Sequence, residues 1–139
     1  KGKPSPSFTF TDVNNNQVQL KDFSGKYLFI DIWATWCGPC TMEIPYLKQL
    51  IDDYHQKNIS FVSIAWQDDK IKWQEMVTEK QLEGVQLFAE NSKHEFFTVY
   101  NVNSIPRFIL IDPAGFIVDA NAFRPSSKEL RILLDSLLQ

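Results

Sequence analysis

Both cysteines of this chain fall within one window of four residues, Cys37-Gly38-Pro39-Cys40, and that window joins an apolar run to an amphipathic helix. The run before it, Tyr27 to Trp33, is interrupted by a single charge, Asp31, and predicts a strand buried on both faces of a sheet. After it, from Pro39 to about Gln56, Met42, Ile44, Tyr46, Leu47, Leu50, Ile51 and Tyr54 recur at steps of three and four, which predicts a helix. Pro45 removes a backbone donor inside that helix, so a kink is expected there rather than a second helix. Ile59 to Trp66 is the next buried strand and completes a right-handed β-α-β unit.

Around this unit, Phe8–Thr11 and Val18–Leu20 read as an N-terminal β-hairpin about Asn14-Asn15-Asn16. A helix is predicted from Asp68 to about Leu82, capped by Asp68 or Asp69, then a short strand Val85–Ala89 and a helical turn or two over His94–Tyr100. Arg107–Ile111 and Phe116–Asp119 flank the turn Asp112-Pro113-Ala114-Gly115, and Ser126 or Ser127 caps a last helix with Leu130, Leu133, Leu134, Leu137 and Leu138 inward. Alternating strands and helices make this an α/β layered fold.

With 139 residues, 44% of them hydrophobic, the chain closes one core. It is read as one domain, 1–139, with 1–7 a linker. Because residue 1 is lysine, the chain is expected to be the C-terminal part of a longer protein. Fourteen basic and 17 acidic residues leave a net charge of -3 without a block of one sign, which gives nucleic acid nothing to bind. No apolar stretch is long enough to span a membrane.

Two cysteines do not staple a scaffold, and closing so short a loop stabilises by only about 2 kcal/mol in the chain-entropy model, against roughly 4.7 for a 100-residue loop. Their place at a strand-to-helix turn points to chemistry instead. Free N–H groups at the helix start favour a thiolate at Cys37, the expected nucleophile, and Cys40, one turn deeper, resolves the mixed disulfide. Pro39 suits the first helical turn, and Gly38 keeps the approach to Cys37 open. A zinc site would need four ligands, and His55 and His94 lack ligand spacing to the pair.

Phe29-Ile-Asp-Ile-Trp-Ala-Thr-Trp-Cys-Gly-Pro-Cys40 resembles the active-site strand and helix start of the thioredoxin superfamily. Pro45 stands where that family carries its helix-kinking proline, and Ser104-Ile105-Pro106 resembles its cis-proline loop. Glu43, the N-terminal hairpin, and enough chain between Trp66 and Pro106 for an extra helix and strand are similar to the TlpA/ResA branch of extracytoplasmic thiol-disulfide oxidoreductases. The resemblance implies a thioredoxin fold: a central mixed β-sheet flanked by helices, with the N-terminal hairpin and a helix-strand insertion before the cis-proline.

Asp31 matches the buried aspartate of thioredoxins. On a buried strand its pKa should rise, making it a candidate acceptor for the Cys40 proton. Glu43, at i+3 from Cys40, is a second candidate, with ordinary solvation on the helix as the alternative. Trp36 is expected to meet partner proteins, and Ile105, beside Pro106, to offer backbone groups to an extended substrate. Arg107 is expected to steer acidic substrates or to favour the thiolate, with a solvated strand residue as the alternative.

The leading expectation is an enzyme reducing protein disulfides through Cys37 and Cys40, with no cofactor beyond that pair and a thioredoxin-type or membrane electron donor. The Gly-Pro insert resembles reducing thioredoxins. A disulfide oxidant or isomerase, or a peroxidase-like or metal-binding module on the same fold, is the alternative. The peroxidase pattern of peroxiredoxins would need proline at Ile30 and threonine at Ala34, copper chaperones on this fold want cysteines spaced by three, and a redox-silent module would have no use for two thiols. The resemblance also implies a monomer, periplasmic or membrane-anchored outside the cytoplasm, in roles such as cytochrome c maturation.

Overall fold

The sheet is organised by alternation. In a computed structural model describing residues 2–139, strands β1 (Thr9–Asp12), β2 (Gln17–Gln19), β3 (Tyr27–Trp33), β4 (Ile59–Ala65), β5 (Val85–Phe88), β6 (Arg107–Ile111) and β7 (Ile117–Asp119) form one mixed sheet. Their order is β2-β1-β5-β4-β3-β6-β7. The inner strands β5, β4 and β3 run parallel, whereas β1 and β6 lie antiparallel against them. This is the mixed sheet expected, with the hairpin β1–β2 added beyond β5.

Successive side chains on a strand point to opposite faces. Leu28, Ile30 and Ile32 of β3, with Val62, Ile64, Leu87, Ile109 and Ile111, enter one core together with Phe8, Phe10, Phe96 and Phe97. Phe29 of β3 turns the other way, with Phe61, Phe108 and Leu110, against Leu47, Leu50, Leu130 and Leu134. On that second face Asp31, Ser63 and Gln86 fall in one register row across β3, β4 and β5. Near its cysteine end, Trp33, Ala65 and Phe88 pack with Trp73 and both cysteines.

Five helices complete the layers: α1 (Gly38–Met42), α2 (Ile44–Asp53), α3 (Lys70–Glu79), α4 (Glu95–Val99) and α5 (Lys128–Leu137). The single kinked helix expected after Cys40 is two helices. Pro45 has no N–H to give the preceding turn, so α1 closes on Glu43, whose N–H reaches the Cys40 and Thr41 carbonyls, and α2 restarts with Pro45 in its first turn. Glu43 keeps helical dihedrals (φ -81°, ψ -13°), so the chain bends without reversing. The helix α3 stops short of Leu82 because Gln81 turns left-handed at φ +50°, a common way for a helix to end. The expected insertion is present as α3 and β5, followed by α4.

The segment read as a linker is docked along the β6–β7 hairpin; Lys1 lies outside the described residues. The Gly2 N–H reaches the Ile117 carbonyl, the Ser5 N–H reaches the Gly115 carbonyl, and Pro4 bridges Phe116. Ser5 Oγ and Tyr100 Oη are hydrogen-bonded at 2.6 Å. Backbone groups on an edge strand find partners wherever a neighbouring segment runs alongside, a pairing no composition signal shows. Among the described residues, no helix is long and apolar enough to cross a membrane.

Candidate active site

The site begins where β3 ends. Beyond Trp33 the chain must leave the sheet and start α1, and the turn is closed by the Cys37 N–H on the Ala34 carbonyl. Cys37 stands at the N-cap of α1 in extended conformation, and its sulfur accepts the Cys40 N–H at 3.2 Å. Cys37 and Cys40 are joined by a disulfide with Cα atoms 5.2 Å apart. Both are deeply buried, 5% and 4% exposed. An N–H at a helix start that faces sulfur in this way is the kind of donor that holds a thiolate.

The loop before Cys37 is fixed from one side. Asp68 accepts the Thr35 N–H and the Thr35 hydroxyl, each at 2.7 Å. The Gln67 carbonyl accepts the Trp36 indole N–H at 2.8 Å. Of the two aspartates offered as caps for α3, Asp69 does the capping, accepting from Ile71 and Lys72, which leaves Asp68 to hold the active-site loop. Trp36 is 61% exposed despite its tethered nitrogen, so an aromatic face is presented to solvent beside the cysteines. Gly38 and Pro39 are also exposed, and nothing lies within 4 Å of where a Gly38 Cβ would stand.

Opposite lies the loop before β6. The Ile105–Pro106 bond is cis, and the Ile105 carbonyl oxygen is 3.8 Å from Cys37 Sγ. Trp36, Trp66, Gln67, Val102, Asn103 and Ile105 line a groove of about 490 Å³ alongside. Trp36 and Ile105 therefore share one groove, and the Ile105 carbonyl joins it to the Cys37 sulfur.

The two acids go to different places. Asp31 faces a small cavity under α2, where burial pushes its carboxyl up to about 7; the Ser63 hydroxyl, donating at 3.4 Å, offsets part of that rise, and the Glu43 charge adds to it. Glu43 is buried at the α1–α2 junction, and both its oxygens are taken: Ser126 donates its N–H at 2.9 Å and its hydroxyl at 2.8 Å, with Arg124 at 3.9 Å. Of the two serines read as caps, Ser127 caps α5 and Ser126 binds Glu43. Ordinary helix solvation does not describe Glu43.

Arg107 is half-buried rather than a simply solvated strand residue. Its guanidinium donates to the carbonyls of Ala120, Tyr100 and Asn101 at 2.9, 2.9 and 3.4 Å, tying the end of α4 to the loop after β7. His94 caps α4 through its ring nitrogen on the Phe96 N–H, and His55 is exposed near the end of α2. Asp68, Gln67 and Ser126 are the site residues that sequence reasoning missed. The doublets Asp68-Asp69 and Ser126-Ser127 held a signal, because a helix start needs only one cap.

The geometry is matched by relatives. The Redoxin family model matches residues 1–131. The thiol-disulfide oxidoreductase ResA of a Bacillus cereus strain is 30% identical over 118 residues, covering 85% of this chain and 67% of that protein. ResA of Bacillus subtilis (strain 168) is 27% identical, covering 85% and 65%, so the chain spans about two thirds of the length of these relatives. Among solved structures, a crystal structure of a candidate thiol-disulfide oxidoreductase from Bacteroides vulgatus superposes with a TM-score of 0.91 at 38% identity, covering 99% of this chain and 96% of that one. A solution structure of a candidate thiol-disulfide oxidoreductase from the same organism gives 0.87 at 45%, covering 99% and 90%.

Proposed function

The chain belongs to the Redoxin family, as a ResA-like thiol-disulfide oxidoreductase domain of the thioredoxin superfamily, and on that premise we propose that it works in the reducing direction on protein disulfides outside the cytoplasm. The observation that carries the exchange chemistry is the Cys40 N–H on Cys37 Sγ at 3.2 Å, a preset donor for the attacking thiolate; the reducing direction rests on the Gly38-Pro39 insert, which resembles that of reducing thioredoxins. In the proposed reaction the Cys37 thiolate attacks one sulfur of a substrate disulfide, forming a mixed disulfide and expelling the other sulfur as a thiolate. Cys40 then attacks Cys37 Sγ and expels the second. The substrate gains two electrons, and the Cys37–Cys40 pair, the only redox group required, becomes the disulfide.

Resolution needs Cys40 to lose its proton. Asp31, a carboxyl held near 7, has the affinity suited to take it at neutral pH, while Glu43, with both oxygens committed to Ser126, positions the helix junction. Substrate lies over Trp36, Gly38 and Pro39 and pairs its backbone with Ile105 beside Pro106. A membrane or thioredoxin-type donor restores the dithiol, the domain acts as a monomer, and apo-cytochrome c maturation is one process such a reductase would serve.

The test is the equilibrium reduction potential of the pair against glutathione or dithiothreitol. A value below about -230 mV is expected, and one near -120 mV would make the domain an oxidant. A Cys40→Ser variant should trap the substrate on Cys37.

A further inference from the structure

Two recesses meet at Asn103. One is the groove of Trp36, Gln67 and Ile105 beside the cysteines. The other, of about 570 Å³, has Lys3, Asn101, Asn103, Arg107 and Asn121 in its wall. The charged residues lining the two recesses are Lys3 and Arg107, both positive, so a chain of net charge -3 carries a cationic recess next to its nucleophile. The closeness follows from the chain. Arg107 is two residues past Ile105, within about 7 Å along the backbone, and the Ile105 carbonyl oxygen is 3.8 Å from Cys37 Sγ.

Arg107 is an oriented cation. A guanidinium has five N–H donors and no acceptor. Its Nε, Nη1 and Nη2 each donate once to a carbonyl, of Ala120, Asn101 and Tyr100 in turn, which fixes the plane of the group and leaves one N–H on Nη1 and one on Nη2. An exposed arginine loses side-chain freedom when it pairs with an acid. Here that freedom is already spent within the fold, so an arriving carboxylate meets a preorganised partner. Burial lowers the Arg107 pKa, opposed by Tyr100 and Asp119, and a guanidinium stays charged at neutral pH. Asp119 does not line the recess, and its Oδ1 accepts the Asn121 N–H. Lys3 is brought to the recess by the docked N-terminal segment: the Ile117 N–H donates to the Lys3 carbonyl and the Gly2 N–H to the Ile117 carbonyl, each at 2.8 Å. The amides of Asn101, Asn103 and Asn121 add neutral donors.

We propose that this recess is a substrate subsite for acidic side chains: while a substrate cysteine is joined to Cys37 and its backbone pairs with Ile105, an aspartate or glutamate a few residues away reaches Lys3 and Arg107. The proposal rests on the reading that the domain exchanges thiols with protein disulfides, and it names the disulfides that are favoured, those flanked by acidic residues. A neutral segment is held by the groove alone, an acidic one by groove and recess together, and a basic one is repelled.

The test uses the Cys40→Ser variant, in which an adduct on Cys37 persists. Peptides of one sequence, each with a single cysteine and with Glu, Gln or Lys scanned over the residues flanking it, are loaded from their own disulfides, compete in pairs for Cys37 at equilibrium, and are counted by intact mass. In the exchange an incoming peptide thiolate bonds to Cys37 Sγ as the first peptide leaves as a thiolate, so nothing is oxidised overall. The same pairs competing for mercaptoethanol give the intrinsic preference of each thiol. Corrected for this, the Glu peptide should exceed the Gln peptide on Cys37 by about fivefold at low salt in the best placement, the Lys peptide should rank last, and about 0.5 M salt should remove the preference. Adding Lys3→Glu or Arg107→Gln should lower the Glu-to-Gln ratio by about twofold or more. A ratio near one in every placement overturns the subsite and leaves exchange at Cys37 intact, as does a ratio that neither charge variant lowers. Failure of every peptide to form an adduct removes the exchange reading itself and the subsite with it. Lys3 is exposed, so Lys3→Glu stands in should Arg107→Gln, which loses three carbonyl ties, fail to fold.

Discussion

The two faces of the central sheet are built from the same strands and do opposite work. On one, Leu28, Ile30, Ile32, Val62, Ile64, Leu87, Ile109 and Ile111 meet the aromatic cluster of Phe8, Phe10, Phe96 and Phe97. Phe96 lies edge-on to Phe8, Phe97 and Tyr100, with ring centroids 4.9 to 5.6 Å apart. Its polar atoms lie at the margin, where Trp66 Nε1 donates to the Ser92 carbonyl and Tyr100 Oη bonds Ser5, and burial is its main contribution. The other face carries the row Asp31-Ser63-Gln86, both cysteines and Glu43. Chemistry occupies the face where Asp31 finds Ser63 on β4 and Glu43 finds Ser126 ahead of α5, while the first face contributes mainly through apolar burial.

The largest effect expected from this contrast is on the apolar face: Phe96→Ala should cost about 3–5 kcal/mol, read by denaturant unfolding, while the reduction potential of the surviving folded protein stays put. Potential and stability falling together would mean the faces are coupled.

Asp31→Asn should do the reverse. The folded carboxyl is raised to about 7, so between about pH 4 and 7 the native protein holds a proton that the unfolded chain has lost. This contribution is complete below pH 3.8 and is lost as pH rises through 7. The wild type should therefore lose about 2–4 kcal/mol between pH 4 and 8, and the variant should not, being the more stable of the two at pH 8 and the slower enzyme. Equal pH slopes for the two proteins would place the titration elsewhere.

Smaller again is the junction between faces. Glu43→Ala removes the buried carboxylate that accepts the Ser126 N–H and hydroxyl, and losing these charge-assisted hydrogen bonds should cost about 1–3 kcal/mol. Glu43→Gln, which can both accept and donate there, should recover most of that stability and the wild-type pH profile of exchange. Loss of the neutral-pH titration in the Gln variant would return a proton-carrying role to Glu43. Smallest is Ser127→Ala, which removes the cap of α5, the helix whose Leu130 and Leu134 cover the second face. About 1 kcal/mol is expected, seen as a lower Tm with unchanged exchange kinetics.

Much of this was legible in the chain. The apolar run of β3 marked Asp31 as the one charge on a strand buried on both faces, because such a run is a purely local signal. The cap residues before α3 and α5 were visible as doublets, but which member of each would cap was not: that depends on Thr35 and Glu43, 33 and 83 residues away in sequence from Asp68 and Ser126. Arg107 looked like a surface charge because its three carbonyl partners come from loops that only folding brings together. Residues 2–5 looked like a linker because an added edge segment is recognised by its neighbour's free backbone groups rather than by its own composition.

Sequence alone therefore determined what is local in the chain: the strands and helices, the cysteine turn with its N–H donors, and the chemistry that two thiols at a helix start can perform. Only the tertiary structure decided which acid is left in a cavity and which is tied down. Asp31 meets Ser63 through strand register, and Glu43 meets Ser126 through the packing of α5 on the sheet. A carboxyl's proton affinity is set by the water and partners around it, and those arrive from distant parts of the chain.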